Sequence, residues 1–387
     1  MKTEEEIAVN WKEVREQFPA LRNRTYLNTA TYGQLPVRSS QAAINHFARR
    51  DRAACSDFLS WFDELETLRA NVGRLIGASA RDIAFISNAS QALGLTLGGI
   101  DWQQGDEILT LEHEFPNQLY AAQCIPGVRA VICKPEEIQE RITNRTRLAL
   151  LSTVNYTSGL RLDLTPVVRR LHSQGALVYL DGTQSVGALR IDCADLQPDF
   201  LAVDGYKWLI SPNGAGFLYV RPEVRQWLRP NVIGWRSDKD WHSVESLHHG
   251  APRFSDAAER YEGGMLPFPS LFAMKESVQL LTDLGIDAIE ARVLELAAKL
   301  REELLALGGS GYPVHADEVL DSQILLMRLP DVDSSQLAKR LQEREIHVSA
   351  RRDYLRISPH FYNDESDVDA FIRAVKVHLP AKSRPQG

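Results

Sequence analysis

Asp181 closes one apolar run, and Lys207 follows another 26 positions later, within residues 178–218, VYLDGTQSVGALRIDCADLQPDFLAVDGYKWLISPNGAGFL. An acid and an amine at neighbouring strand ends can converge in one cleft. The amine can hold an aldehyde as an imine. The acid can keep a pyridine nitrogen protonated, so that the ring accepts electrons from a breaking bond. These are the two things that pyridoxal phosphate requires of a protein. Each residue alone has a plainer explanation. A lysine among aromatics usually lays its stem on the surface, and an aspartate before Gly182 usually serves a turn.

The elements that would position this pair alternate. Residues 83–86, 107–111, 148–152, 176–180, 200–203 and 216–220 read as strands, with helices from Gln91, from about Asn117 and over 164–173. Such alternation predicts an α/β fold with a mostly parallel sheet wrapped by helices, whose ligands bind beyond the carboxyl ends of the strands. After about residue 260 the pattern changes. Helical periodicity over 271–282 and 288–307 precedes a strand at 322–329, a helix at 335–343, a strand at 354–357 and a helix at 366–378. The expected organisation is an N-terminal segment (1–20), a large cofactor-binding domain (21–260), a smaller C-terminal α+β domain (261–380) and a tail (381–387).

Composition narrows the partners. The net charge of −7 argues against a nucleic-acid backbone binder, while leaving room for a small anion held by a few local donors. No run of 18 apolar residues predicts a membrane span. The acidic, polar start MKTEEEIAVNWKE has no signal-peptide core. Cys55, Cys124, Cys133 and Cys193 fit no metal or redox spacing, so the expected compartment is a reducing cytoplasm. His248 and His249 have no third ligand spaced nearby, so no metal site is expected. Asn213, Gly214 and Gly216 lead into an apolar strand, not a helix, which removes a dinucleotide-binding turn.

DGTQSVGAL, DGYKWL and GAGFLYV together resemble the class V aminotransferase-fold enzymes that use pyridoxal phosphate. That superfamily of fold type I includes cysteine desulfurases, kynureninases, C–S lyases and isopenicillin N epimerase-like proteins. The resemblance runs from about Tyr26 to Val377. It implies a seven-stranded, mostly parallel sheet and a homodimer with shared sites. It also implies residue roles. Lys207 would hold the cofactor and move protons, Asp181 would pair with the ring nitrogen, and Gln184 would bond the ring hydroxyl. Ala89 and Ser90, in ISNASQAL, and Tyr206 would hold the phosphate, and Phe115, in EHEFPNQLY, would stack on the ring; His113 has no stacking role. Asp204 departs from the pattern, standing where many relatives carry a serine or threonine phosphate ligand. Arg356, in YLRISPHFYN, would grip the substrate α-carboxylate beneath a loop carrying Asn28 and Thr29. Gly263 and Gly264, in RYEGGMLPF, match a loop that reaches the neighbouring subunit's phosphate, with Met265 in place of a common threonine.

The cysteines bear on the reaction. A desulfurase needs a mobile thiol in a loop shortly before the carboxylate-binding arginine. Here that stretch is the short IHVSARRDYLR, and no cysteine follows Cys193. The expected reaction is therefore a lyase-type β-elimination on a small amino acid, through an external aldimine and a quinonoid, without a persulfide. Epimerisation, kynureninase-like hydrolysis and amino transfer are the alternatives, and a non-catalytic cofactor-binding protein is the alternative of another class.

Overall fold

A computed structural model gives the fold and describes residues 9–243, 245, 247, 250–313 and 319–379. His248, His249, residues 1–8 and the expected tail lie outside the described residues.

Seven strands form the main sheet: β1 (Ile83–Ile86), β2 (Glu107–Leu111), β3 (Arg129–Cys133), β4 (Thr146–Ser152), β5 (Leu177–Asp181), β6 (Phe200–Asp204) and β7 (Gly216–Val220). Their spatial order is β1-β7-β6-β5-β4-β2-β3. β2 is parallel to β3 and β4, β4 to β5, and β5 to β6. Only β7 opposes its neighbours β6 and β1. The expected α/β sheet is present.

Alternation along each strand feeds two cores. In β1, Ile83 and Phe85 enter one, and Ala84 and Ile86 enter the other. With both faces covered, β1, β5 and β7 are buried throughout, so they read as unbroken apolar runs. Helix α3 (Ala89–Gly99) packs on β6 and β7, α4 (Pro116–Gln123) on β2 and β3, and α5 (Thr165–Ser173) on β5. Helices α1 (Val37–Ala53), α2 (Ser60–Leu75) and α6 (Phe268–Leu284) pack together on the first core.

A third core takes in Leu27, α7 (Ile286–Ala306) from Leu296 onward, α8 (Ser334–Gln342) and α9 (Glu365–His378). These cover an antiparallel sheet ordered β8-β9-β11-β10, made of β8 (Ser310–Gly311), β9 (Leu325–Arg328), β10 (Ser349–Arg351) and β11 (Tyr354–Ile357). The chain's start is stitched to this unit. Thr25–Tyr26 pairs in parallel with Ile346–His347, and Asn28 bridges Ser358. Residues 29–34 are thereby drawn between the two units. Among the described residues, no helix is long and apolar enough to cross a membrane.

Candidate active site

The carboxyl ends of three adjacent strands supply the floor. Ser152 ends β4, Asp181 ends β5 and Asp204 ends β6, with Ser152 and Asp181 paired in register. Above them a small cavity is lined by these three, by Lys207, Tyr206, Gln184, Thr183, Ala89, Phe115 and Asn117, and by Val154 and Tyr156. Of the expected residues, Asn28, Thr29, Ser90, Gly264 and Arg356 are not part of its lining.

Lys207 is 7% exposed and forms no ion pair among the described residues. Burial pulls its amine down to about 8, against the opposing pull of Asp181 and Asp204. Its Nζ lies 5.7 Å from the Phe115 ring centre and 5.4 Å from that of Tyr206. The backbone is fixed from below. The Gly33 N–H donates to the Tyr206 carbonyl at 2.9 Å, and a Cβ on Gly33 would lie 1.9 Å from the Lys207 carbonyl oxygen. His360, from the YLRISPHFYN segment, accepts the Phe361 N–H at Nδ1 (2.8 Å), so its Nε2–H donates to the Trp208 carbonyl (3.0 Å). Burial holds this ring neutral, pulling it down to about 3.

Asp181 is held by two donors: the Thr183 N–H at 2.9 Å and the Gln118 amide at 3.2 Å. The same Gln118 amide donates to Ser152 Oγ at 3.2 Å, and Ser152 donates its N–H (2.8 Å) and its hydroxyl to Glu114. Burial pushes Glu114 up to about 7. It likewise pushes Asp204 up to about 6, with the charge of Asp181 adding to the effect. Asp204 Oδ1 accepts the Ala89 N–H at 3.0 Å, at the first residue of α3. Asn88 caps that helix, accepting the Gln91 N–H at 2.9 Å, so Ser90 is its second residue and not its cap. The Ser90 hydroxyl is exposed and accepts from Asn117 at 3.0 Å.

Gln184 is engaged on both sides, donating to the Ala30 carbonyl (3.0 Å) and accepting from the Trp208 indole (2.8 Å). Burial pushes the Tyr206 hydroxyl up to about 12. Phe115 meets Tyr156 edge-on, their ring centres 5.1 Å apart. Gly264 lies in a surface turn beside Met265, which is 60% exposed.

Arg356 is 1% exposed, yet it has no carboxylate partner among the described residues. Its donors meet Ser349 Oγ (3.1 Å), the Tyr156 carbonyl (2.7 Å) and the Thr31 hydroxyl. Burial, with Arg351 nearby, pulls it down to about 9. A buried guanidinium surrounded only by neutral acceptors calls for an anion. The loop residues divide here. Thr29 is fully buried and bonds the Tyr362 hydroxyl at 2.8 Å, whereas Thr31 reaches Arg356 and donates to Asn28 Oδ1 at 2.8 Å.

Thr31, Gln118, Ser152, Glu114 and Thr183 thus join the site without having been singled out in the sequence. Thr31 sits two residues from an expected loop residue, and Gln118 belongs to the EFPNQLY segment, so both carried a signal. Tyr156 contributes a carbonyl, which no side-chain pattern can announce.

A family model, aminotransferase class V, matches residues 48–371. The chain belongs to the class V aminotransferase family. This class V enzyme is 28% identical over 400 residues to an isopenicillin N epimerase of Amycolatopsis lactamdurans, covering 96% of this chain and 99% of that protein. It is 27% identical over 353 residues to a probable cysteine desulfurase of Methanothermobacter thermautotrophicus, covering 87% and 86%. In fold it is similar to the cystine C–S lyase C-DES, solved with its product cysteine persulfide (TM-score 0.82, 22% identity, 92% and 98% covered). It also resembles the cysteine desulfurase CsdA of Escherichia coli (TM-score 0.81, 24% identity, 96% and 98% covered). Pyridoxal phosphate is the cofactor of this class V enzyme, and the donor set suits it: a buried amine without a counter-ion, a carboxylate fixed by two donors, and a helix N-terminus facing the cavity.

Proposed function

We propose that Lys207 binds the cofactor covalently and that the enzyme carries out β-elimination on a small α-amino acid. The observation that supports this most is the pairing of two buried cations that form no ion pair among the described residues, Lys207 in the cavity lining and Arg356 bonded to the carbonyl of the cavity-lining Tyr156 at 2.7 Å. When bound, pyridoxal phosphate supplies an electron-accepting ring for charge developing at the α-carbon. Asp181 would hold a proton on the ring nitrogen, fixed for that task by Thr183 and Gln118. Gln184 would lie near the ring hydroxyl and Phe115 against the ring face. Ala89, Ser90, Tyr206 and Asp204 would surround the phosphate. Arg356 would receive the α-carboxylate, with Thr31 and Asn28 closing behind it. The neutral amine of Lys207 would take the α-proton, after which a leaving group on the β-carbon, such as a thiolate, could depart.

No protein thiol stands ready to take sulfur. None of the four cysteines lines the cavity, and burial pushes Cys133 up to about 11 and raises Cys193 further. Among the described residues, no group of three or more metal-ligating side chains gathers. A homodimer belongs to the same proposal: Val232, Ile233 and Met265 are all exposed near the Gly263 turn, an apolar patch that a second subunit would cover.

The test is purified holoprotein mixed with a panel of amino acids, following cofactor absorbance together with pyruvate, ammonia and sulfide. Pyruvate with sulfide supports elimination. Racemised substrate alone would mean epimerisation, and alanine with an aromatic acid would mean hydrolysis. Keto acid formed with conversion of the cofactor to its amine form would mean amino transfer. A spectrum that no amino acid disturbs would mean a non-catalytic binder. Retention of a borohydride-reducible cofactor by Lys207→Ala would refute the role of Lys207.

A further inference from the structure

The stretch before Arg356 folds as a tight hairpin. β10 pairs with β11 in the register Ser349–Arg356, Ala350–Leu355 and Arg351–Tyr354. Arg352 and Asp353 make the turn, with φ of 49° and 65°. Directly opposed residues share a face, as do residues two apart. Ser349 touches the Arg356 guanidinium at 3.1 Å, so the face carrying Ser349 and Arg356 also carries Arg351. Arg351 and Arg356 are diagonal neighbours, roughly 7–8 Å apart at Cα.

Arg351 is partly buried. Among the described residues its guanidinium makes one hydrogen bond, to the carbonyl of the preceding Ala350 at 2.8 Å, and has no carboxylate partner. Its charge is felt at both Arg356 and Lys207, lowering each. The hairpin is also latched over the site. Arg352 donates to Nδ1 of His113 at 2.7 Å, on the loop that leads to Phe115, and to the Tyr312 hydroxyl at 3.3 Å. Two cations on one face of the hairpin, both without a carboxylate partner among the described residues, form a charge pattern that an amino acid with one carboxylate does not satisfy.

We propose that Arg351 forms a second anion subsite beside Arg356, and that the substrate is an α-amino acid with a second carboxylate at the end of its side chain. This rests on Arg356 being the α-carboxylate site. Arg356 would hold the group next to the reacting carbon, and Arg351 would set the length and charge of the side chain accepted.

Calorimetric titration of holoprotein with succinate and with propionate, which lacks the second carboxylate, tests this apart from turnover. Wild type should bind succinate roughly ten- to a hundredfold more tightly than propionate, the effect of one charged hydrogen-bonded contact. Arg351→Gln should bring succinate to the propionate level and leave propionate unchanged, while Arg351→Lys restores part of the difference. Equal binding of the two acids by wild type, absence of succinate binding, or equal weakening of both by Arg351→Gln overturns the proposal. Arg356→Gln should weaken both acids; if it weakens neither, the placing of the α-carboxylate fails first. Comparing aspartate, glutamate and alanine by cofactor absorbance then reads the side-chain length accepted, and a preference for alanine unaffected by Arg351→Gln also overturns the proposal.

Discussion

The Asp204 carboxylate accepts the backbone N–H of Ala89 at 3.0 Å, so an acid occupies the first donor of the helix that faces the cofactor cavity. A phosphate bound at that helix start would meet a like charge whenever Asp204 is ionised.

Asp204→Asn keeps the acceptor for Ala89 and removes the charge. It should tighten pyridoxal phosphate binding at neutral pH on the order of tenfold, measured by absorbance titration of apoprotein. Burial first, then Asp181, raises Asp204 from 3.8 to about 6. Wild-type affinity should therefore improve relative to the variant as the pH falls through about 6. In the absence of cofactor, this residue's stabilising contribution is present below the unfolded value and is lost as the pH rises through about 6. Equal affinities at every pH would remove Asp204 from the phosphate's surroundings.

Lys207 has the opposite sign. Burial lowers its amine from 10.5 to about 8, so the neutral, nucleophilic form takes over above that pH. Attachment of cofactor to apoprotein, followed by stopped-flow absorbance, should accelerate as the pH rises to about 8 and then level off. A rate that keeps climbing to the ordinary lysine value of about 10.4 would contradict the desolvated amine.

Gly33 leaves no room for a side chain, because a Cβ would stand 1.9 Å from the Lys207 carbonyl oxygen. Gly33→Ala should cost about 1–3 kcal/mol of stability, the usual range for overpacking, and should displace Lys207. Urea unfolding with an unchanged slope gives the first quantity. Faster loss of cofactor on dialysis gives the second. Wild-type values for both would show that the contact relaxes without consequence.

Glu262 anchors the turn that leads to Gly264. Its carboxylate accepts from Arg69 (2.7 Å), from the Phe85 N–H (2.8 Å) and from Arg236. Burial alone would raise this group, but Arg69 and Arg236 outweigh that and hold it below its ordinary value of 4.5. Its stabilisation is therefore present above that value and lost on acidification below it. Glu262→Gln should cost up to about 3–5 kcal/mol in denaturant unfolding, because it removes the buried carboxylate that Arg69 and Arg236 share and leaves them only the more exposed Glu66 and Glu259. A loss under about 1 kcal/mol would mean that water or a shift of Arg236 compensates.

Legibility in the sequence followed burial. The two-sided strands announced themselves as apolar runs: residues 83–86, 107–111 and 216–220 were read with the bounds they have in the fold. The edge strand β3, RAVIC, went unread because only Cys133 is buried and no continuous core run forms. β10 was unread for a related reason: SAR is three residues of a hairpin fixed by its turn, not by a core. Asp181 and Lys207 were legible because each follows an apolar run and the two stand in one motif combination, DGTQSVGAL with DGYKWL. Glu114 was not, because it is tied to the site by Ser152, on another element, which Gln118 in turn links to Asp181. Thr29 and Thr31 show the limit of one-residue resolution: both lie in one short loop, and only the bridge of Asn28 to Ser358 decides which one faces Arg356.

Thr31 and Arg356, which bond across the site, are separated by 325 positions. A chain leaving the ribosome exposes Lys207 and the whole main sheet long before Arg356 is made. The order of synthesis therefore separates two abilities. A nascent chain arrested after β7 already carries every side chain that lines the cofactor cavity, whereas a grip on an amino acid's carboxylate arises only when the last strand of the small sheet emerges and is captured by the oldest part of the polypeptide.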